Sequence, residues 1–529
     1  MAVETYNVEE LIAQNASSKE KFSKLDADRS AVLDRARECA KLTIPSVVTD
    51  DGHTESDDLP TPYQAVGSRL VHNLASKLLL ALLPPNTSFF RLMPDPEVVE
   101  LVKQQAQQQG QQGGADELEK NLVTIEQEMM KQIEREALRV PIFETIKSLI
   151  IGGNALLYKT ANGLKSYKMA NFVVSRDFSG NPTEIICKEA LTKDTLPEDI
   201  LTQLQMDTEG KEKEKVTIYT RAIKKDGVWY EFQEVEGILV EGSDVQYMDN
   251  ELPFIPLRWT SINGENYGRG LVEQYLGDFR SLEALYQLLL EASSVMSRVI
   301  FGKRAGSVID VDDINEAENG VCILGDLEQD ITTLRVDKGG DLRVPMDMVQ
   351  DLTRRLEQAF LVAAARDSER TTATEIRYMA ADLEKSLGGV YSILSLELQR
   401  PLAYLLLGQS KVDVASLGLE LVIVTGVEAL GRNVELDKIR QFNQLIQELG
   451  SPEIILSRLN VATYIDRIAN SLALDTTGLI KSEEQLQQEQ QAQQQAQMEQ
   501  QMMMQGAGGL IEGATGAASQ AMQQAVQQG

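Results

Sequence analysis

Leu70, Leu74, Leu78 and Leu82 recur every four residues, so they share one face of a helix that Pro84 and Pro85 end. Before it, residues 1–45 read as charged helix up to Pro45, and 46–62 as an Asp-rich loop. After it, KQQAQQQGQQGG at 103–114 reads as a mobile low-complexity loop. Helical spacing resumes from Asp116 to Arg139 and again from Pro141 to Ile151, where Gly152 and Gly153 supply a helix C-terminus. From 154 to 256 the period changes. Short runs rich in β-branched and aromatic residues (ALLYK, FVVS, EIICKEA, VTIYTRAI, VWYEFQEV, FIPLRW) alternate with Asn-Gly, Asn-Pro and Asp-Gly signals, which predicts antiparallel hairpins.

The most regular pattern follows. Tyr275, Phe279, Leu282, Tyr286, Leu289, Ser293, Met296 and Ile300 are spaced alternately by four and three, a heptad seam on one long helix over 271–300. Gly-punctuated short strands at 301–345 separate it from a second helix after Pro345, through Ala365. The polar stretch RDSERTT comes next, then a third helix from Ala373 to Leu387. Gly388 and Gly389 offer a kink, and Val390 to Leu407 continues with helical spacing that Pro401 interrupts. Two helices thus flank a small β insert. SLGLELVIV at 416–424 reads as one strand and 434–478 as helix. The Gln-rich tail from Glu484 reads as helix at first and as disordered after Gly506. The seam fits packing inside one chain or self-association of many; the spacing alone does not choose.

Composition narrows the function. The 529 residues hold 80 acidic and 51 basic ones, a net charge of −29, which excludes a surface that grips nucleic acid throughout. Cys39, Cys187 and Cys322 form no CxxC, so a zinc site or a disulfide framework is not expected. The N-terminus has no signal-peptide pattern, and the most apolar stretch, 66–85, is broken by Arg69, His72, Asn73 and Lys77, so no membrane span is expected. The Walker pattern and GxSxG are missing. Gly268-Arg269-Gly270 has Glu273 where a dinucleotide site needs glycine, and reads as a turn into the long helix. Asp50, Asp51, His53, Glu55, Asp57 and Asp58 are hard oxygen-type ligands without EF-hand spacing, and read as a solvated loop, as do Asp310, Asp312 and Asp313. His72 reads as a partly buried structural residue on its amphipathic helix. Lys224-Lys225, Lys303-Arg304 and Arg354-Arg355 are ordinary basic pairs, whereas Arg366 and Arg370 interrupt helices where a loop can project. An acidic α+β chain, mainly helical, without a catalytic constellation or cofactor motif points to a structural or assembly role rather than an enzyme.

Several stretches resemble the portal proteins (head-to-tail connectors) of short-tailed, podovirus-type bacteriophages. They are TPYQAVGSRLVHNLASKLLLALLPP at 61–85, YGRGLVEQYLGDFRSLEALYQ at 267–287, TATEIRYMAADLEKSLGGVYSILSLELQRPL at 372–402 and TGVEALGR at 425–432, with LPEDI at 196–200 and EVEG at 234–237. The resemblance covers most of 20–480 in order; the Gln-rich loop and tail depart from it. It implies a portal fold in a ring of twelve copies at one capsid vertex of the virion, assembled in the host bacterial cytoplasm. Double-stranded DNA would pass through the ring non-specifically during packaging and ejection, with ATP hydrolysed by the large terminase. Scaffolding and major capsid proteins and tail adaptor or tail tube proteins would be partners. No cofactor, metal or membrane is implied.

The same resemblance assigns a wing to 1–265, with its β-rich subdomain at 154–260, and stem helices to 266–300 and 346–365. A clip falls at 301–345 and a tunnel loop at 366–372. The wing continues through 373–429, followed by a crown at 430–483 and a Gln-rich barrel helix or disordered tail at 484–529. Its channel candidates are Arg366, Asp367, Ser368, Glu369, Arg370 and Thr371, with Lys303 and Arg304 as a clip pair. The stem seam is Tyr275, Phe279, Leu282, Tyr286, Leu289, Met296 and Ile300. Two other classes compete: an internal capsid scaffold, which needs no β insert between long helices, and a metal-dependent nuclease using the acidic loop, which requires Mg²⁺-dependent DNA cleavage.

Overall fold

The computed structural model describes residues 16–424, apart from 51, 55, 86–87, 109–113, 193–201, 203–214, 298–299, 317, 319–321, 323–325, 335–341, 363–382, 384 and 410–417. The expected helix at 434–478, the tail from Glu484, and nearly all of the expected helix at 373–387 lie outside the described residues.

The described residues open with α1 (Ser18–Asp28) and α2 (Ser30–Lys41). The single expected helix is two, because Arg29 leaves the helix and buries its guanidinium against Asp26 and the Met169 carbonyl. The leucine repeat forms α3 (Val66–Leu82), with all four leucines fully buried. β1 (Phe90–Pro94) precedes α4 (Pro96–Gln108), so the first half of the expected Gln-rich loop is helix. Gln has good helix propensity, and only the glycines that follow oppose the helix. Then come α5 (Gly114–Arg135) and α6 (Arg139–Gly152), the second ended by Gly153 in the left-handed region, whose N–H donates to the Leu149 carbonyl. α6 is buried along most of its length and carries the centre of the core.

Strands β2 (Asn154–Thr160), β3 (Gly163–Tyr167), β4 (Phe172–Arg176), β5 (Pro182–Thr192), β6 (Lys215–Lys225), β7 (Val228–Val235) and β10 (Phe254–Arg258) follow where the runs and hairpin signals place them, and β8 (Ile238–Leu239) and β9 (Val245–Met248) are two short strands that no signal announced. They make a three-stranded sheet, β10-β2-β3, and a six-stranded one, β4-β5-β6-β7-β8, with β9 also on β7; all pairings are antiparallel.

Then come α7 (Leu271–Gln274), α8 (Leu276–Met296), β11 (Ile300–Lys303), α9 (Val311–Asn315), α10 (Leu327–Asp330), β12 (Ile331–Leu334) and α11 (Arg343–Ala359). The expected helix over 271–300 is therefore interrupted at Tyr275 and ends at Met296. The return helix begins at Arg343, with Pro345 in its first turn, where a missing N–H costs nothing. α12 (Gly389–Leu394) runs into a π-helical segment (Ser395–Gln399) and α13 (Arg400–Gln409). Pro401 cannot donate to the carbonyl four residues earlier, so the ladder widens just before it. β13 (Leu419–Ile423) pairs antiparallel with β1, a contact between strands more than 300 residues apart. Cys39 and Cys187 are buried thiols; burial pushes Cys39 up to about 12 and raises Cys187 as well, so both are inert. No described helix is long and apolar enough to cross a membrane.

Candidate assembly surface

The turn ahead of α7 fixes where the long hairpin starts. A Cβ on Gly270 would lie 2.6 Å from the Ile151 carbonyl, and one on Gly268 would lie 2.3 Å from the Thr260 carbonyl. Asn154 closes the contact: its side-chain oxygen accepts from the Gly268 N–H (2.7 Å) and its amide donates to the Gly268 carbonyl (2.9 Å). Gly268-Arg269-Gly270 is the turn into the helix that the sequence suggested, and its glycines also serve a close backbone contact that the sequence did not show. Arg269 pairs with Glu265 and Glu273.

From this anchor α8 runs out and α11 runs back beside it, with β11 and β12 paired antiparallel between them. Glu283 on α8 accepts the Tyr63 N–H at 2.8 Å. Arg280 forms a bidentate pair with Glu38 at 2.6 and 2.7 Å. Arg355 on α11 places one nitrogen 2.6 Å from both Asp278 oxygens, and Arg69 meets Glu357 at 2.8 Å. Lys77 donates to the Leu361 carbonyl at 2.5 Å just past α11. Phe360 packs between Tyr275 and Phe279, with centroids 6.2 and 5.8 Å away. These contacts hold the end of the hairpin nearest the core.

Burial along the seam is greatest at two positions near that end. Phe279 and Leu282 are fully buried; Tyr275, Tyr286 and Leu289 are half-buried against the same core. Met296, half-buried too, closes α8. Ile300, expected as the last helical position, opens β11 instead, opposite Leu334. On α11, Val349, Leu352 and Leu356 are buried. Beyond them large apolar side chains stand in water: Leu288, Leu290 and Val295 on α8, Val308 and Val311 near the turn, and Val344, Met346 and Met348 on α11. Eight of the 18 exposed large apolar residues among those described fall between 288 and 348. Scattered single ones are ordinary on any surface; eight on one hairpin are a local concentration of exposed apolar groups. The spacing predicted the buried positions, but the exposed set lies off the seam and was not foreseen.

At the turn, Lys303 ends β11 and Arg304 follows, with the Arg304 N–H donating to the Asp330 carbonyl at 2.9 Å; both residues are exposed. Arg366, Asp367, Ser368, Glu369, Arg370 and Thr371 lie outside the described residues. Among the described residues no three His, Cys, Asp or Glu side chains gather as metal ligands would. Asp50 faces Lys41 and Arg37, Asp57 accepts from the Thr54 N–H, and Asp310 caps α9. His72 is exposed rather than partly buried, because its ring faces outward and meets Phe143 edge-on at 5.0 Å.

Residues 15–480 match the family described as bacteriophage head to tail connecting protein. The portal protein of Enterobacteria phage T3 is 36% identical over 489 residues, covering 89% of each chain. That of Escherichia phage T7 is 36% identical over 492 residues with the same coverage, and that of Pseudomonas phage phiKMV 31% identical over 484 residues, 87% of this chain and 91% of the relative. A mainly helical chain with an apolar hairpin face, matched over nearly its whole length, belongs to the phage head-to-tail connecting family: it is a portal protein of the podovirus type, a structural rather than catalytic part of the virion.

Proposed function

We propose that twelve copies close into a ring whose central channel carries double-stranded DNA into and out of the capsid. The observation that supports this is the apolar outer half of the α8–α11 hairpin. Two helices from each of twelve copies, 24 in all, bury such faces against their neighbours without a thick core in any single chain. Twelve copies carry 12 × −29, or −348, charges. An acidic wall repels phosphate, so DNA slides with little retention, and a few cationic rings centre it. Lys303 and Arg304 suit such a ring at the hairpin turn, and Arg366 and Arg370 suit one in the stretch after α11.

In this reading α8 and α11 form the stem, the β11–β12 turn forms the clip that meets the terminase and then tail proteins, and residues 366–372 form the tunnel loop. The flanking segments form wing and crown, and scaffolding and capsid proteins surround the wing. Top-view electron microscopy of the purified protein tests the ring, with twelve subunits around a hole expected; compact particles without a hole would contradict it. Arg366→Ala with Arg370→Ala tests the loop. The ring should form, and capsids built with it should hold less DNA; normal DNA content would remove the loop from the channel.

A further inference from the structure

A cavity of about 670 Å³ lies between the strands and the last helices. β7, β10 and the β4–β5 turn line one side, and the π segment and α13 the other. Four cations, Arg176, Lys224, Arg258 and Arg400, line it against two carboxylates, Asp249 and Glu397, a balance of +2 in a chain of −29. Three of these cations are held. Arg258 donates two guanidinium N–H groups to Glu397 Oε1 and its backbone N–H to Oε2, Arg176 donates to the carbonyls of Asn266, Gly180 and Pro256, and Lys224 meets Asp249 at 2.5 Å. Arg400 stands apart, exposed, its guanidinium 5.9 Å above the Tyr404 ring.

Apolar groups accompany the charge. The π segment turns Glu397 inward to Arg258 and leaves Leu396 on the lining at 62% exposure. Phe178, in the turn whose next residues line the cavity, is 95% exposed. That turn is rigid: Asp177 and Asn181 exchange backbone and side-chain hydrogen bonds at 2.8–3.2 Å, and Arg176 donates to Gly180. A fixed, solvated aromatic beside a cationic, partly apolar cavity suits an occupant with carboxylates and aliphatic side chains.

We infer that the occupant is a second copy of this chain, through its stretch 196–209, LPEDILTQLQMDTE; the inference rests on the closed-ring reading. That stretch carries Glu198, Asp199, Asp207 and Glu209 and no Lys or Arg, with Leu196, Ile200, Leu201 and Leu204 at spacings that share one face of a helix. Its position supports a partner copy. It leaves β5 after Thr192 and returns to β6 at Lys215, which are paired residues. The cavity lies at the other end of the same two strands, beside Pro182 and Lys224. Ten residues at about 3.3 Å separate the two ends by roughly 33 Å. A connection that joins the strands at one end of a sheet, with a receptor at the other end, fits a head-to-tail contact, the kind that closes into a ring.

The test uses the full chain with Cys322→Ser as background, Leu396→Cys and Leu201→Cys together, and a short bis-maleimide. Cross-linked dimers and higher multiples are expected, with none from either single cysteine. Light scattering on the same samples separates the two failures. Chains that associate yet give no intermolecular product overturn this contact alone; chains that never associate overturn it with the ring. A second variant set reads charge: Arg400→Glu should weaken association about tenfold, and Glu198→Lys with Asp199→Lys should restore it. Loss of DNA retention in Arg400→Glu with cross-linking unchanged would mean that nucleic acid occupies the cavity, and would overturn the contact.

Discussion

The six-stranded sheet and the α8–α11 hairpin are built from similar aliphatic and aromatic residues with opposite outcomes. In β7, Trp229, Tyr230, Phe232 and Val235 are all buried within one chain. In the hairpin only the end near α3 and α6 reaches that state, and the outer half leaves Leu290, Val344 and Met348 about half exposed or more. Each buried aliphatic side chain contributes about 1.5–3 kcal/mol relative to exposure. The β7 strand therefore has its burial within one chain, although Ile238, Val245 and Met248 at the sheet's edge stay exposed, while the hairpin's outer half lacks it. Under the proposed ring, one chain thus separates residues that fold it from residues that assemble it.

Substitutions break this comparison in graded ways. The largest effect belongs to the buried residues. Phe232→Ala in β7 should cost about 3–5 kcal/mol and Leu282→Ala at the hairpin base about 2–5 kcal/mol, read by denaturant unfolding. Leu290→Asp with Val344→Asp should leave the unfolding of the dissociated chain within about 0.5 kcal/mol of the parent and abolish association, read by sedimentation. A matching loss of chain stability would erase the distinction between the two regions.

Within the sheet, Glu231 is 5% exposed and has one unpartnered carboxylate oxygen, and desolvation raises its pKa. A raised folded value means its contribution is present below the unfolded value, about 4.3, and lost as pH rises through the folded one. Glu231→Gln should therefore gain melting temperature over the parent as pH rises from 4 to 8, and a pH-independent difference would contradict the assignment. The smallest effect is expected at Arg355→Ala. Its bond to Asp278 raises the Arg355 pKa, but the group is exposed, and unfolding should hardly move.

How much was legible depended on range. The leucines of α3, the strands β2 to β7 and β10, and the buried seam positions Phe279 and Leu282 follow from local period, so the sequence predicts them. The pairing of β1 with β13 does not, because Phe90 and Ile423 meet only in the folded chain. The break at Tyr275 was hidden as well, since nothing in the local period marks it, and so was the close packing of Gly268 and Gly270 against 150–153 and 260. Arg29 split the first helix for a tertiary reason, its contact with Met169. At the assembly surface the seam told which residues enter the core. The outward residues Leu288, Leu290 and Val344 carry no period of their own, and only the folded hairpin displays them. The family motifs identified the protein where periodicity left packing and self-association equally open.

The most direct test is the native mass of the full chain beside Leu290→Asp/Val344→Asp. The account predicts 12 × 58.6 kDa, about 703 kDa, for the parent and 58.6 kDa for the variant. Equal masses for the two, whether large or small, would contradict it.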